Sequence, residues 1–552
     1  MIVAINVFLF GCTTIPTGGP VFSIERDGSE NSSDVDFLPP GPSSGATPTE
    51  IVTGFIAAGK AAQDNYRVAR SYLSEQVRSS WNPSASLLLR RGEPEVTSES
   101  GSKIRYVVPV VASVDEQGRL SNNSSASSQT LDFELIRENN EWRISNLDDG
   151  IVLSETAFAE AFSDYLLYYY SRDYRELVPD LRWFARRGDV ASRLVRALLD
   201  SPTFWLDQGA TVTAFPEGTQ LATTPIAVSD GIAGVDLTTI VMSADEITRS
   251  RMLRQLSATL SQVQGISSAR VLVNQTEIAI EPLGDESVRF SSGRDSRVLV
   301  LRDRRFGYLQ GDSIQDIGGF LGTVPLLNPD SIFYSPDHDL VAANRNDGLW
   351  LIEAGESPKL VDPRTGLNQA AIDNCGYVWS SSRTPSADMV QIFSPFGDSL
   401  ILPMGIDDNT ELAGLELARD DTRIAVLAQT NLGVRVLLAA VTRNDACEPV
   451  AIGEFVELLA LEGRGIDAAW IDDYQVAVVI QETTSDRGEV LVVDVSGRSN
   501  ALGQPSNPRA LIGGVGGISG LRILAEDGLI YQPRGSGWQA TGESARVIAS
   551  QR

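Results

Sequence analysis

Cys12 carries the clearest chemistry in the chain. It follows Leu9-Phe-Gly11, and the residues before it are almost all apolar. A short hydrophobic run ending in Leu-x-Gly-Cys reads as a lipobox. The small residue before the cysteine admits a signal peptidase, and the cysteine thiol is then acylated. The run is too short to cross a bilayer. It also lacks the Lys or Arg that opens a secretory signal, and a start placed too far downstream is the expected reason. Cys375 and Cys447 are the other two cysteines. Export would place them in an oxidising compartment, where a disulfide and two inert thiols both remain open.

Other reactive constellations are scarce. The single histidine, His338, lies in the turn-like sequence Ser335-Pro-Asp-His-Asp339. A histidine-built metal site is thereby excluded, and a Ser-His-Asp triad could use only this residue. It reads as a solvated turn residue. Asp230, Asp236, Asp245 and Glu246 are acidic neighbours in sequence, but a hairpin, a strand end and a helix cap account for them. Carboxylates are abundant, yet no two stand out as a hydrolytic pair. The reading is a non-enzyme with no catalytic residues, no cofactor and no metal. A net charge of −27 argues against nucleic acid, whose phosphates need basic surface. It equally argues against electrostatic docking on anionic lipid, so attachment to a membrane must be covalent.

The 552 residues suffice for three or four domains. Residues 1–12 form the signal with its lipobox. Residues 13–45, rich in Ser, Pro, Gly and Asp, form a flexible linker whose coil would span roughly 30 Å. Residues 46–150 read as an α+β cone. Thr47-Pro-Thr-Glu50 is a capping box with proline at the first helical position, and Ile51, Val52, Phe55 and Ile56 follow at helical spacing. A second helix is expected over residues 66–81. Strands are expected over 104–111, 130–136 and 142–147, with 120–129 as a flexible hairpin tip. A filled apolar core is favoured over a ligand pocket in this cone.

Residues 155–285 read as one compact α/β unit. The aromatic run Tyr165-Leu-Leu-Tyr-Tyr-Tyr170 is a strand. Glu176-Leu-Val-Pro179 and an arginine-rich turn follow, then a helix over 190–199 and a strand over 210–216. Two short β-runs flank Asp230-Gly231, a strong hairpin signal. A helix over 244–264 opens at a capping box, Ser243-Ala-Asp-Glu246, and a last strand covers 269–274. Arg249, Arg251 and Arg254 read as a solvated helix face.

Residues 296–552 alternate short β-runs with turns. Ser335-Pro-Asp-His-Asp-Leu-Val-Ala-Ala343, Ala418-Arg-Asp-Asp-Thr-Arg-Ile-Ala-Val426 and Trp470-Ile-Asp-Asp-Tyr-Gln-Val-Ala-Val478 are mutually similar. Each is an acidic turn leading into an apolar strand, and Cys375–Trp379 and Leu521–Leu524 fall in phase. The texture predicts an all-β propeller of about six blades that closes into a ring. Asp337, Asp420 and Asp472 are then turn residues, and Trp350, Trp379 and Trp470 are blade packing.

The phrases "LVPDLRWF", "TVTAFPEGTQL", "GVDL" and "GISSARVLV" resemble the GerMN domain. With the lipobox, an NTF2-like cone and a propeller in this order, the chain resembles the actinobacterial LpqB lipoprotein family. Only three basic residues are lysine (Lys60, Lys103 and Lys359), which fits a GC-rich actinobacterial genome. The resemblance implies a protein on the extracytoplasmic face of the cell membrane, lipid-anchored at Cys12. It also implies contact with the extracytoplasmic domain of a sensor kinase of the MtrA–MtrB type, with effects on envelope homeostasis and division. Two other readings stay open: an envelope carrier of a small molecule or lipid, and a carboxylate-based hydrolase.

Overall fold

The computed structural model describes residues 39–283 and 297–551, apart from 312, 384–388, 396, 408–409, 483–485 and 514–515. Cys12, the signal and nearly all of the linker lie outside the described residues.

The first domain wraps short helices around a bent sheet. Pro48–Ala58 is a helix whose N-cap is Thr47. The Thr47 side chain accepts from the Glu50 amide, and the Glu50 carboxylate accepts from the Thr47 amide, so two otherwise orphaned donors are satisfied. The expected second helix is broken into Gln63–Ser71 and Glu75–Arg78. Six strands form the sheet. Lys103–Asp115 alternates strictly, placing Ile104, Tyr106, Val108, Val110, Ala112 and Val114 inside. The supposed hairpin tip at 120–129 is instead part of the long strand Leu120–Glu138, paired along Lys103–Asp115. Its Ser and Asn residues hid it, because strand propensity is low there while the ladder is set by the partner. The interior is filled: Phe55 meets Trp81 and Phe133 edge to face at 5.1 and 6.1 Å.

In the central domain, Phe162–Ser171 pairs antiparallel with Leu177–Ala185. The second of these strands stands where only Glu176-Leu-Val-Pro179 and an arginine-rich turn were expected. It is buried on nearly every residue, so it shows no alternation, and Pro179, Asp180 and Arg182 imitate loop composition. Val190–Leu199 is the predicted helix. The strand over 210–216 shrinks to Thr211–Val212. Ala227–Ser229 and Ile232–Leu237 form the predicted hairpin, with Asp230 at φ 53° and Gly231 at φ 77°, the conformation a two-residue turn of this hand requires. The long helix is Glu246–Leu260, shorter than expected. Its cap is Asp245, which accepts from the Thr248 amide at 2.7 Å, rather than Ser243. Side chains on this helix and in the turn just after it also finish an incomplete strand edge. Gln262 accepts from the Leu166 amide at 2.8 Å, and Thr259 from the Tyr168 amide at 3.2 Å. A buried amide left unpaired would be costly, which explains a fully buried Thr259 in an apolar core.

From Leu299 onward the described chain is almost entirely antiparallel sheet. Leu299–Arg302, Arg305–Gln310 and Ser313–Asp316 are joined by the last strand, Val547–Gln551. That strand also runs parallel to Ser331–Ser335, which begins the next group of four. Chain end and propeller start are thereby sewn together, and an open sheet edge is avoided. Four further sheets follow in sequence. The three similar sequence segments each fall at the turn between a first and a second strand, as at Glu411–Leu417 and Arg423–Thr430.

Candidate functional site at the domain seam

The central domain sits on one end of the propeller. Val178, Leu181, Trp205, Leu206 and Ala210 share one apolar cluster with propeller residues that include Leu427, Val436 and Val478. The contact is therefore a hydrophobic core divided between two domains, and separating them would expose it to water. Polar pairs fix the register. Gln208 Oε1 accepts from the Glu454 amide at 2.7 Å. The first domain joins in: Asn122 donates to the Ser496 carbonyl at 2.8 Å, and Arg498 lies over the rings of Phe158 and Trp183.

Beside this core lies a cavity of about 240 Å³, walled by Ser171–Asp173, Arg175 and Glu176 on one side and by Asn374, Asp420–Thr422 and Arg443 on the other. Its floor is a buried charge network. Arg443 pairs with Asp373 at 2.8 Å, both almost inaccessible, and donates to the carbonyls of Asp421 and Cys447. Asp373 also accepts from the amides of Cys375 and Tyr377 and from the Trp379 indole. The same wall contains a disulfide, Cys375–Cys447, with Cα atoms 6.4 Å apart. Of the two readings left open by the sequence, the pairing is the one observed. Arg175 of the central domain donates toward the Cys375 sulfur at 3.7 Å.

The opposite end of the same strands opens into a second cavity of about 440 Å³ along the propeller axis. Arg345, Arg383, Arg509 and Arg546 face it, with Asp330, Glu416 and Asp467. Asp467 accepts from the Ala468 and Leu511 amides at 2.9 and 2.8 Å. Burial in the channel wall pushes its carboxyl up to about 6, against the pull of those amides and of Arg383.

His338 is exposed at the end of a single 3-10 turn, with Nε2 3.3 Å from the Asn374 carbonyl. The four acidic residues of the central domain stay separate in role: Asp230 makes the hairpin turn, Asp236 accepts from Thr223 and the Gln275 amide, and Asp245 caps the helix that Glu246 begins. Among the described residues no group of three or more His, Cys, Asp or Glu could hold a metal ion. Asp420 and Asp472 cap their turns by accepting backbone amides, of Thr422 and of Tyr474 and Gln475. Asp420 also binds Arg423, which is buried beneath Trp470. Trp379 and Trp470 are packed in the blades, and Trp350 is half-buried with its indole on Asp347. Arg251 is not simply solvated, because its guanidinium lies 3.9 Å over the Tyr174 ring. Neither the Arg443–Asp373 network nor the channel arginines had a local signal in the sequence, since their partners are distant in the chain.

Three family models match in order. Residues 41–159 match the N-terminal domain of lipoprotein LpqB, residues 166–279 match the sporulation and spore germination (Germane) model, and residues 304–547 match the LpqB β-propeller domain. Lipoprotein LpqB of Thermobifida fusca is 26% identical, across 92% of this chain and 90% of that protein. Lipoprotein LpqB of Cutibacterium acnes is 29% identical over 52% of this chain and 48% of its own. That of Streptomyces coelicolor is 23% identical over 98% and 96%. With all three domain models in register and relatives similar from end to end, the chain belongs to the LpqB lipoprotein family.

Proposed function

We propose that this protein is a membrane-tethered, non-enzymatic regulator that binds the extracytoplasmic domain of a sensor kinase of the MtrA–MtrB type. The observation that carries the reading is family membership across all three domains. Cys12 is the acylated residue in this reading, and residues 13–45 are the tether. The tether raises the effective concentration of the folded domains near a receptor in the same membrane. Binding then biases the kinase by its different affinity for two receptor states. The shared apolar seam supports action as one body, since a kinase touching one domain would feel the placement of the others.

The division into 46–150, 155–285 and 296–552 is supported by the three matched ranges. A six-bladed count is supported by the sheet order. The eight-stranded sheet divides into two groups of four at the parallel pairing of Val547–Gln551 with Ser331–Ser335, and four sheets remain. The apolar filling of the first domain favours a packing role there over a carrier role.

Crosslinking in living cells, followed by identification of the captured membrane proteins, tests the reading. A sensor kinase should be recovered with the wild type and depleted with Cys12→Ala, which releases the protein from the membrane without touching its described domains. Capture of wall polymer or lipid, with no kinase, would overturn it. The full chain should be used, because removing the propeller strips the cover from Val178, Leu181, Trp205 and Leu206.

A further inference from the structure

We propose that the open end of the propeller channel binds a small ligand bearing phosphate or carboxylate groups, with Arg383 and Arg509 as its principal contacts. The two ends of the propeller differ in cover. Strand Glu411–Leu417 leaves at Ala418–Thr422, which lines the seam with the central domain, while Ala413–Glu416 line the other cavity. No described part of the chain outside the propeller lines that second cavity. Its volume of about 440 Å³ suits a small-molecule site, for which roughly 300–1,000 Å³ is usual.

The sign of the ligand follows from the charges facing the cavity. Four are cationic, and Asp330, Glu416 and Asp467 oppose them. Asp330 is already spent on Arg546, at 3.4 Å. Asp467 is turned to two backbone amides, and burial draws it toward its neutral form. Among the described residues no three carboxylates converge to hold a metal cation. An anion would find a cationic excess, in a chain whose net charge of −27 repels anions elsewhere.

The arginines are not equally available. Arg345 pairs with Asp347 and lies over Trp350, and Arg546 donates to the carbonyls of Asn328 and Pro329. Arg383 and Arg509 are exposed. Among the described residues each makes one side-chain hydrogen bond, to Asn368 Oδ1 and to the Arg546 carbonyl respectively. A guanidinium offers five donors, and its fork matches the oxygens of phosphate or carboxylate. Arg345 and Arg546 supply field, and Arg383 and Arg509 supply contacts.

Calorimetric titration of the full chain with pyrophosphate and with citrate tests this, independently of any kinase. The expected result is saturable binding of at least one. Arg383→Gln with Arg509→Gln should weaken it at least tenfold, while Arg304→Gln, on an exposed turn outside the cavity, should not. Tighter pyrophosphate would assign a phosphate ligand, and tighter citrate a carboxylate. The proposal is overturned if neither binds more tightly than about 1 mM, or if the double variant, with an unchanged melting temperature, binds both as well as the wild type.

Discussion

The two ends of the propeller use the same residue types for opposite purposes. At the seam, Arg443 and Arg423 are buried, each held by an aspartate and each lying over a tryptophan. At the open end, Arg383 and Arg509 stay exposed over a cavity. A charge removed from water must be compensated where it lies, so Arg443 comes with Asp373 and two backbone carbonyls, and Arg423 with Asp420. A charge left at water has no such obligation and remains available. What distinguishes structure from binding here is desolvation, not the kind of residue.

Breaking the seam should have the largest effect. Asp373→Ala leaves Arg443 buried without its partner and also frees two amides and an indole, so a loss of about 3–5 kcal/mol is expected in denaturant unfolding. A loss below about 1 kcal/mol would mean that water reaches the network. Replacing both Cys375 and Cys447 by serine should come next. The bridge closes a loop with a sequence separation of 72, and chain entropy sets its contribution at about 4 kcal/mol. Unfolding with and without reductant measures it, and an unchanged midpoint would contradict the loop argument.

The channel offers a pH test of intermediate size. The Asp467 carboxyl is raised to about 6 from an ordinary 3.8, so the folded state holds its proton more tightly than the unfolded state. Its stabilising share is therefore full below about 3.8 and is lost as pH rises through about 6, by at most about 3 kcal/mol. Melting temperature followed from pH 4 to pH 7.5 should show this loss in the wild type and not in Asp467→Asn. Parallel profiles would place the carboxyl in water. The smallest effect sharpens the comparison: the exposed Arg383→Gln and Arg509→Gln should each change stability by no more than about 0.5 kcal/mol, even where they abolish anion binding.

Legibility in the sequence followed the range of the interactions. The Thr47 capping box, the helix over 190–199 and the Asp230-Gly231 turn depend on neighbours within a few residues, and all three were readable. Leu177–Ala185 was not, because its pattern is the sum of two covers, the central core and the propeller. Of Leu120–Glu138 the part over 130–136 was readable, while 120–129 was missed because its partner strand, rather than its own composition, holds it. Of the candidate residues, the turn aspartates were legible from the repeat, while the partners of Arg443 became visible only when the chain closed.

By itself, the sequence determined the order of three domains, the repeat of acidic turn and apolar strand, and the exclusion of any site built from several histidines. Periodicity and turn residues act over a few positions, and such information is carried along the chain. Tertiary structure alone decided that Cys375 meets Cys447, that Arg443 is spent on Asp373, and that Arg383 and Arg509 share a cavity. Those pairings join separate blades, and the closing of the sheets brings them within reach. The same closure put one end of the propeller under the central domain and left the other end uncovered by any described residue outside the propeller.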